Sequence, residues 1–182
     1  RESAAARGVP SWKYTGPDCV ISAEEQAARA AAGAPSVVRC RVPRAAGRIE
    51  FEDLVYGPQS IDPDEIDDFV LLRADGSPLY MLSVVCDDID EGITHILRGQ
   101  DHLSNTPKQI LLYQALGAPV PQFGHLALIM APDGSKLSKR RHGEVVSITT
   151  YRDRGFLPEA MCSFLAQLGY STGEAEESEL LT

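Results

Sequence analysis

Apolar and polar residues alternate along the first part of the chain with the two-residue period of short strands. Two such segments predict half-buried strands, residues 37–42 and 48–57, and the apolar run at residues 69–73 predicts a further strand. Ser22 and Glu25 form a capping box ahead of an alanine-rich run, which predicts a helix that ends near Ala32. No long apolar face accompanies these elements, so we expect a small α+β subdomain that packs on another part of the chain.

Longer and more continuous apolar runs follow, and they predict a more deeply buried sheet. The run at residues 79–86 is typical of a strand that is covered on both faces, and two further strands are predicted over residues 93–98 and 125–130. A helix capped at Ser104 or Asn105 and ending at Gly117 separates the second run from the third. This order predicts half of an open α/β sheet, in which ligands lie beyond the carboxyl ends of the strands. Two more helices are expected over residues 148–154 and 158–169.

Composition and charge narrow the class of protein without changing this picture. The chain has 182 residues, of which 43% are hydrophobic and 24% charged, with a formal net charge of −9. These values indicate a globular protein in which any nucleic-acid contact depends on local basic patches. The sequence shows no apolar run of about 18 residues that would span a membrane, and no recognisable signal peptide. Four separated cysteines show no zinc spacing and favour a reducing, cytoplasmic environment: Cys19, Cys40, Cys86 and Cys162.

Carboxylates are concentrated in residues 62–68, where five of the seven side chains are acidic. Paired carboxylates can hold a metal ion or perform acid–base chemistry. A run of like charges more often forms a solvated turn. The solvated turn is therefore the favoured interpretation of this segment.

Residues 131–142 combine a chain reversal with a short basic loop. Pro132, Asp133 and Gly134 predict the turn. Four cationic side chains then fall within six residues: Lys136, Lys139, Arg140 and Arg141. Two interpretations are open from these residues alone. The loop is either a solvated basic surface or a loop that binds phosphates through its side chains and backbone N–H groups.

Three motifs occur in order along the second half of the chain. Residues 78–80 read Pro-Leu-Tyr, residues 92–109 begin Gly-Ile-Thr-His and contain Arg-Gly-Gln-Asp-His, and residues 133–140 read Asp-Gly-Ser-Lys-Leu-Ser-Lys-Arg. Together they resemble the glutamyl-tRNA synthetases, which are class I aminoacyl-tRNA synthetases. The third motif is similar to the second class I signature, usually written KMSKS, with Leu137 in place of Met and Arg140 in place of the final Ser.

The resemblance implies a reaction, its substrates and a fold. The family activates L-glutamate with ATP, accompanied by Mg²⁺, to glutamyl-adenylate and transfers it to the 3′ end of tRNA(Glu). It implies an α/β fold, the second half of a class I Rossmann-type nucleotide-binding fold, between a small insertion and a helical region. The expected divisions are an acceptor-end-binding insertion over residues 1–76, the catalytic half over 77–132, and the basic loop with the start of a stem-contact domain over 133–182. Cys19 and Cys40 stand alone where some members carry a zinc cluster, so no zinc is expected.

Residue roles are also carried over from the resemblance. The signature lysines Lys136 and Lys139 are expected to be catalytic, because cations stabilise the charge that develops as pyrophosphate leaves. The expected ATP-binding set is Asp101, His102, Ile129, Lys136, Ser138, Lys139 and Arg140. Tyr80 and Arg98 are expected to bind glutamate, since a guanidinium can donate two parallel hydrogen bonds to its side-chain carboxylate.

One class I element has no counterpart here, the His-x-Gly-His motif that stabilises the transition state on ATP. None of the four histidines occurs in that pattern: His95, His102, His125 and His142. The chain is therefore expected to be a fragment that does not activate glutamate alone and that self-associates through an exposed half-sheet. Two alternatives stay open, a glutamyl-queuosine tRNA(Asp) synthetase and a non-catalytic module that binds the tRNA acceptor end or a partner chain.

Overall fold

The computed structural model describes residues 22–168, so Cys19 and Gly169, used in the predictions above, lie outside the described residues. The helices in this range are α1 Ala23–Ala31, α2 Tyr80–Asp90, α3 Thr106–Leu116, α4 Lys139–His142, α5 Ile148–Asp153 and α6 Pro158–Gln167. The strands are β1 Val38–Arg39, β2 Ile49–Asp53, β3 Gly57–Ile61, β4 Val70–Leu72, β5 His95–Gly99 and β6 Gln122–Leu126. The fold class is α/β, as predicted.

Local signals positioned the helices well where caps were present. Ser22 caps α1 by accepting the N–H of Glu25 at 3.2 Å, as the capping box predicted. Helix α3 begins after Asn105 and ends at Gly117, which adopts the left-handed conformation that favours glycine. The predicted helix at residues 148–154 is confirmed as α5.

Four strands form the main sheet in the order β3-β2-β6-β5, and β1 pairs with β4 in a separate two-stranded sheet. Strands β2 and β3 are an antiparallel hairpin, whereas β2 pairs in parallel with β6, with Asp53 beside Phe123. The prediction of one strand over residues 48–57 was wrong in its second half, because the chain turns after Asp53 and returns as β3 from Gly57.

The apolar run at residues 79–86 was predicted to be a strand, and the structure shows helix α2 instead. An unbroken apolar run has no visible period, so helix and strand cannot be separated by pattern alone. The packing reveals a helical period, since the side chains that meet the core are Met81, Val84, Val85 and Ile89. The third run was misplaced as well, since β6 covers Gln122–Leu126 and residues 127–130 continue into the basic loop.

Helix α3 contributes the largest share of the core, and α2, β2 and β6 each contribute one residue. Its buried hydrophobic residues are Val42, Ile49, Ile66, Val85, Ile110, Leu111, Leu112, Tyr113 and Phe123. Phe51 meets Phe123 edge to face, with 6.3 Å between ring centroids. Burying a side chain of the size of Phe123 contributes about 1.5–3 kcal/mol relative to leaving it exposed.

The acidic segment at residues 62–68 is anchored by arginines. Arg44 donates hydrogen bonds to the carbonyls of Pro63 and Ile66 and lies 3.1 Å from an oxygen of Asp68. The other face of the segment buries the side chains of Pro63 and Ile66. The segment is therefore a turn that buries its apolar residues and exposes the side chains of Asp64 and Glu65, in agreement with the solvated-turn interpretation.

Contacts divide the described chain into two compact units. The first unit contains residues 22–97 and 102–125, and the second unit contains residues 98–101 and 126–168. The first holds most of both sheets with α2 and α3, and the second holds the basic loop with α4, α5 and α6. The predicted three-part division into family domains stays a prediction. Over residues 22–168, the helices are all too short or too polar to cross a membrane.

Candidate active site

The turn of the basic loop lies in the second unit and is held by Asp133. Its carboxylate accepts the N–H of Ser135 at 2.9 Å and the hydroxyl of Ser135 at 2.7 Å. These two hydrogen bonds lower the pKa of Asp133 below its ordinary value. Gly134 has a φ of 76°, and its N–H donates to the carbonyl of Ala131 at 2.9 Å. The chain reversal predicted from Pro-Asp-Gly is confirmed.

The arms on either side of this turn pair as a short hairpin. The N–H of Leu137 donates to the carbonyl of Ile129 at 3.0 Å, and Met130 pairs with Lys136 in an antiparallel bridge. The side chain of Ile129 is 49% exposed. The hairpin therefore gives Lys136 a defined backbone position on an exposed surface.

The signature continues from the hairpin into a short helix. Ser138 is extended, with φ −149° and ψ 145°, and precedes α4, which begins with Lys139. The N–H of Ser138 donates to Nδ1 of His142 at 3.1 Å, and the N–H of His142 donates to the carbonyl of Ser138 at 2.9 Å. Lys139 and Arg140 are exposed. These two contacts fold the exposed cations into one turn, which suits a ligand with several negative oxygens.

Two residues of the expected ATP-binding set contact each other in the second unit. Lys136 forms an ion pair with Asp101, in which Nζ meets Oδ2. Asp101 occupies this position beside Gly99, whose role was not predicted from the sequence. A Cβ atom on Gly99 would lie 2.6 Å from Oδ1 of Asp101 and 3.3 Å from the Leu128 side chain. Only glycine at position 99 therefore allows the Asp101 carboxylate to keep its observed position.

The residues expected to bind glutamate lie on different elements. Arg98 is half-buried on β5 in the second unit. Tyr80 is the first residue of α2 in the first unit and is 52% exposed. Its ring lies 6.3 Å from the ring of His102, at an interplanar angle of 42°. Nδ1 of His102 is 3.2 Å from the side-chain nitrogen of Asn105. The structure therefore pairs Tyr80 with a residue of the expected ATP set.

A buried polar network in the first unit was not anticipated from the sequence. Nδ1 of His125 lies 2.5 Å from Oδ2 of Asp53, and Nε2 lies 3.1 Å from the hydroxyl of Thr106. All three side chains are fully buried. Burial by itself raises the pKa of Asp53, but hydrogen bonds from His125 and from backbone N–H groups outweigh it and hold the pKa below its ordinary value. The only hint in the sequence was a histidine inside an apolar strand.

The residues that the structure describes contain no side-chain cluster that could bind a metal ion. Across residues 22–168 no group of three His, Cys, Asp or Glu side chains could hold a metal ion. The basic hairpin instead offers cations that suit the phosphates of a nucleotide, and Mg²⁺ would enter with the nucleotide as part of the substrate.

Comparison with known proteins identifies the class. The family described as "tRNA synthetases class I (E and Q), catalytic domain" matches residues 1–182. The chain belongs to this family of class I synthetase catalytic domains. The resemblance to glutamyl-tRNA synthetases is confirmed at the level of sequence: the glutamate–tRNA ligases of Desulfotalea psychrophila and Solibacter usitatus are 48% and 52% identical over 97% and 93% of this chain.

Solved structures show the same relationship in three dimensions. A glutamate tRNA ligase from Elizabethkingia meningosepticum, crystallised in complex with its amino acid, matches 99% of this chain with a TM-score of 0.78 and 31% identity. The glutamate-tRNA synthetase from Elizabethkingia anophelis matches with a TM-score of 0.77 and 31% identity. The chain spans 36% of the length of the two curated relatives and about 40% of the two solved chains.

Proposed function

We propose that the chain acts as part of a glutamate–tRNA ligase, which activates L-glutamate with ATP and transfers it to tRNA(Glu). The observation that carries the proposal is the basic hairpin, in which a turn held by Asp133 precedes the exposed Lys136, Lys139 and Arg140. The two curated relatives, which are 48% and 52% identical to this chain over the aligned residues, are both named glutamate–tRNA ligase. A solvated basic surface would need neither the Asp133 turn nor the pairing of Lys136 with Asp101.

The expected phosphate contacts of the nucleotide come from the basic loop of the second unit. Lys139 and Arg140 are exposed and free to turn toward phosphate oxygens, and Ser138 can donate its hydroxyl. Negative charge grows on the β- and γ-phosphates as pyrophosphate leaves, so cations held in place beforehand lower the barrier. Ile129 would meet the adenine ring through its backbone at the start of the hairpin. MgATP is the substrate form in this scheme.

Glutamate recognition would depend on Arg98 and Tyr80. The guanidinium of Arg98 can donate two parallel hydrogen bonds to the side-chain carboxylate, which selects glutamate over the neutral glutamine. Tyr80 exposes part of its ring in the first unit, and its role in glutamate binding is carried over from the resemblance. His102, whose ring neighbours that of Tyr80, would flank the nucleotide.

The nucleotide role can be tested by titrating the chain with MgATP. Lys139→Ala is expected to weaken binding by about tenfold or more, because a charge-assisted hydrogen bond to phosphate is lost. Arg154→Ala is the matched control, since it removes an equally exposed positive charge outside the loop. Equal effects of the two variants would contradict a specific phosphate site and support a general effect of net charge.

We further infer that the chain by itself does not form glutamyl-adenylate. His125 is fully buried against Asp53, and the other histidines do not occur in a His-x-Gly-His pattern. ATP–pyrophosphate exchange by the isolated chain above background would contradict this inference.

Charging assays with tRNA(Glu) and tRNA(Asp), performed on the longer protein that contains this chain, separate the proposed ligase from a glutamyl-queuosine synthetase.

A further inference from the structure

Asp53, His125 and Thr106 form a continuous chain of polar contacts through the interior of the first unit. Asp53 ends β2, His125 lies on β6, and Thr106 is the first residue of α3. Asp53 is 1% exposed, and the other two side chains are 0% exposed. Three elements that are distant in sequence are thus connected by two side-chain contacts of 2.5 and 3.1 Å.

Asp53 determines which nitrogen of His125 carries a proton. Its carboxylate accepts the backbone N–H groups of Val55, Tyr56 and His125 at 3.0, 3.0 and 3.2 Å. A carboxylate surrounded by donors in this way is ionised and acts only as an acceptor. Nδ1 of His125 is therefore the donor to Asp53, and Nε2 faces the hydroxyl of Thr106.

The arrangement resembles the hydroxyl–imidazole–carboxylate order of hydrolytic enzymes, but its location excludes that chemistry. A nucleophile must reach its substrate, and the hydroxyl of Thr106 is completely enclosed. The network can affect function only by fixing the positions of the chain segments to which it is hydrogen-bonded. Each end of the network is attached to one such segment.

The segment at the Asp53 end is the turn of the β2–β3 hairpin. Oδ1 of Asp53 accepts the N–H groups of Val55 and Tyr56, while Oδ2 is held by His125. The turn is also tied to β6, because the N–H of Leu54 donates to the carbonyl of Phe123 at 2.8 Å. His125 thereby fixes the orientation of the carboxylate on which this turn is built.

The segment at the Thr106 end carries His102. Thr106 directly follows the short 3-10 helix Gln100–Asn105, in which His102 contacts Asn105 and lies beside Tyr80. A hydrogen bond from Thr106 to His125 anchors the point where this helix passes into α3. The position of His102 thus depends on a contact made one turn further along the chain.

We propose that His125 is a positioning residue, which holds the β2–β3 turn through Asp53 and the His102–Asn105 segment through Thr106. What these segments do rests on the proposed function: the hairpin belongs to the predicted acceptor-end insertion, and His102 to the predicted nucleotide site. His125 then keeps the β2–β3 hairpin and the segment that carries His102 in one fixed relation within the first unit.

Two conservative substitutions separate the ends of the network. His125→Asn places an amide nitrogen near the position of Nδ1, and His125→Gln places one near the position of Nε2. We expect His125→Gln to accelerate amide exchange at Val55 and Tyr56 by about tenfold or more, the effect of losing one buried hydrogen bond, with little change at the start of α3. His125→Asn is expected to give the opposite pattern, with the turn protected and the 102–106 segment loosened.

A role in overall stability alone would give a different result. Both variants would then accelerate exchange at both segments by equal factors, and this outcome would overturn the proposal. Thr106→Val and Thr106→Ser add a second pair, because valine removes the hydroxyl and serine retains it. Serine is expected to preserve the His102 segment and valine to loosen it, without an effect on the turn.

The unaltered chain provides a measurement that does not depend on variants that fold. The ring nitrogens of His125 are resolved by nitrogen-15 NMR, and we expect a slowly exchanging, strongly deshielded proton on Nδ1. A proton found only on Nε2 would overturn the proposal, since Asp53 could not then accept from His125. None of these measurements needs a substrate. If the unaltered chain did not bind MgATP, the proposed function would be contradicted. The amide-exchange and NMR data test the positioning role of His125 independently of that result.

Discussion

Gly99 shows how the absence of one methyl group sets the position of a charged side chain. Gly99→Ala would place a Cβ 2.6 Å from Oδ1 of Asp101, so the carboxylate must rotate away and release Lys136. Because the pair is exposed, we expect a loss of no more than about 1 kcal/mol in unfolding free energy. The nitrogen-15 resonance of the Lys136 ammonium should shift, and urea denaturation measures the stability.

Asp101→Asn is the matched control for this change. It removes the charge with little change in size, so it should give the Lys136 resonance of an unpaired lysine. Combining the two substitutions should add little further shift if Gly99 acts only through Asp101. Fully additive shifts would contradict that explanation.

The buried carboxylate of Asp53 makes stability depend on pH. Its pKa is lower in the folded chain than in the unfolded chain, where it has the ordinary aspartate value of about 4. The stabilisation is therefore fully present above that value and is lost as pH falls through the folded pKa. Urea denaturation between about pH 2 and pH 6 should show this loss. Asp53→Asn, which does not titrate, should flatten the profile, and an unchanged slope would contradict the assignment to Asp53.

At the scale of elements, helix α2 shows where pattern analysis reaches its limit. In a strand, residues 85 and 87 would share a face, whereas in the helix Val85 is 0% exposed and Asp87 is exposed. Val85→Ala should therefore cost about 2 kcal/mol through lost burial and a residual cavity. Asp87→Ala should be nearly neutral. Comparable losses at both positions, measured by urea denaturation, would contradict the helix.

Elements with local signals were predicted from the sequence, and elements that depend on distant partners were not. Ser22, Gly117 and the Pro-Asp-Gly turn act within a few residues, so the capped helices and the chain reversal before the basic loop were predicted correctly. The β2–β3 hairpin was missed because its turn is stabilised by Asp53, whose partner His125 lies 72 residues away. The limits of β6 were missed because its parallel pairing with β2 determines where the strand begins.

At the scale of the whole molecule, exposed apolar side chains predict association of the isolated chain. In the second unit they include Ile148 at 72%, Phe156 at 52%, Leu157 at 66% and Phe164 at 56% exposure. Apolar surface of this kind is usually covered by another part of a protein or by a partner. Sedimentation velocity should show concentration-dependent self-association, and Phe164→Glu should reduce it. A monomer at every concentration would contradict the expectation.

The sequence by itself determined the family, the α/β class and the chain reversal that precedes the basic loop. Those conclusions depend on residue order and on turn and cap chemistry that act over short distances. Tertiary structure decided that residues 79–86 form a helix, that Lys136 pairs with Asp101, and that Asp53, His125 and Thr106 form one network. Each depends on contacts between segments that are far apart along the chain, where burial and hydrogen-bond satisfaction outweigh local preference.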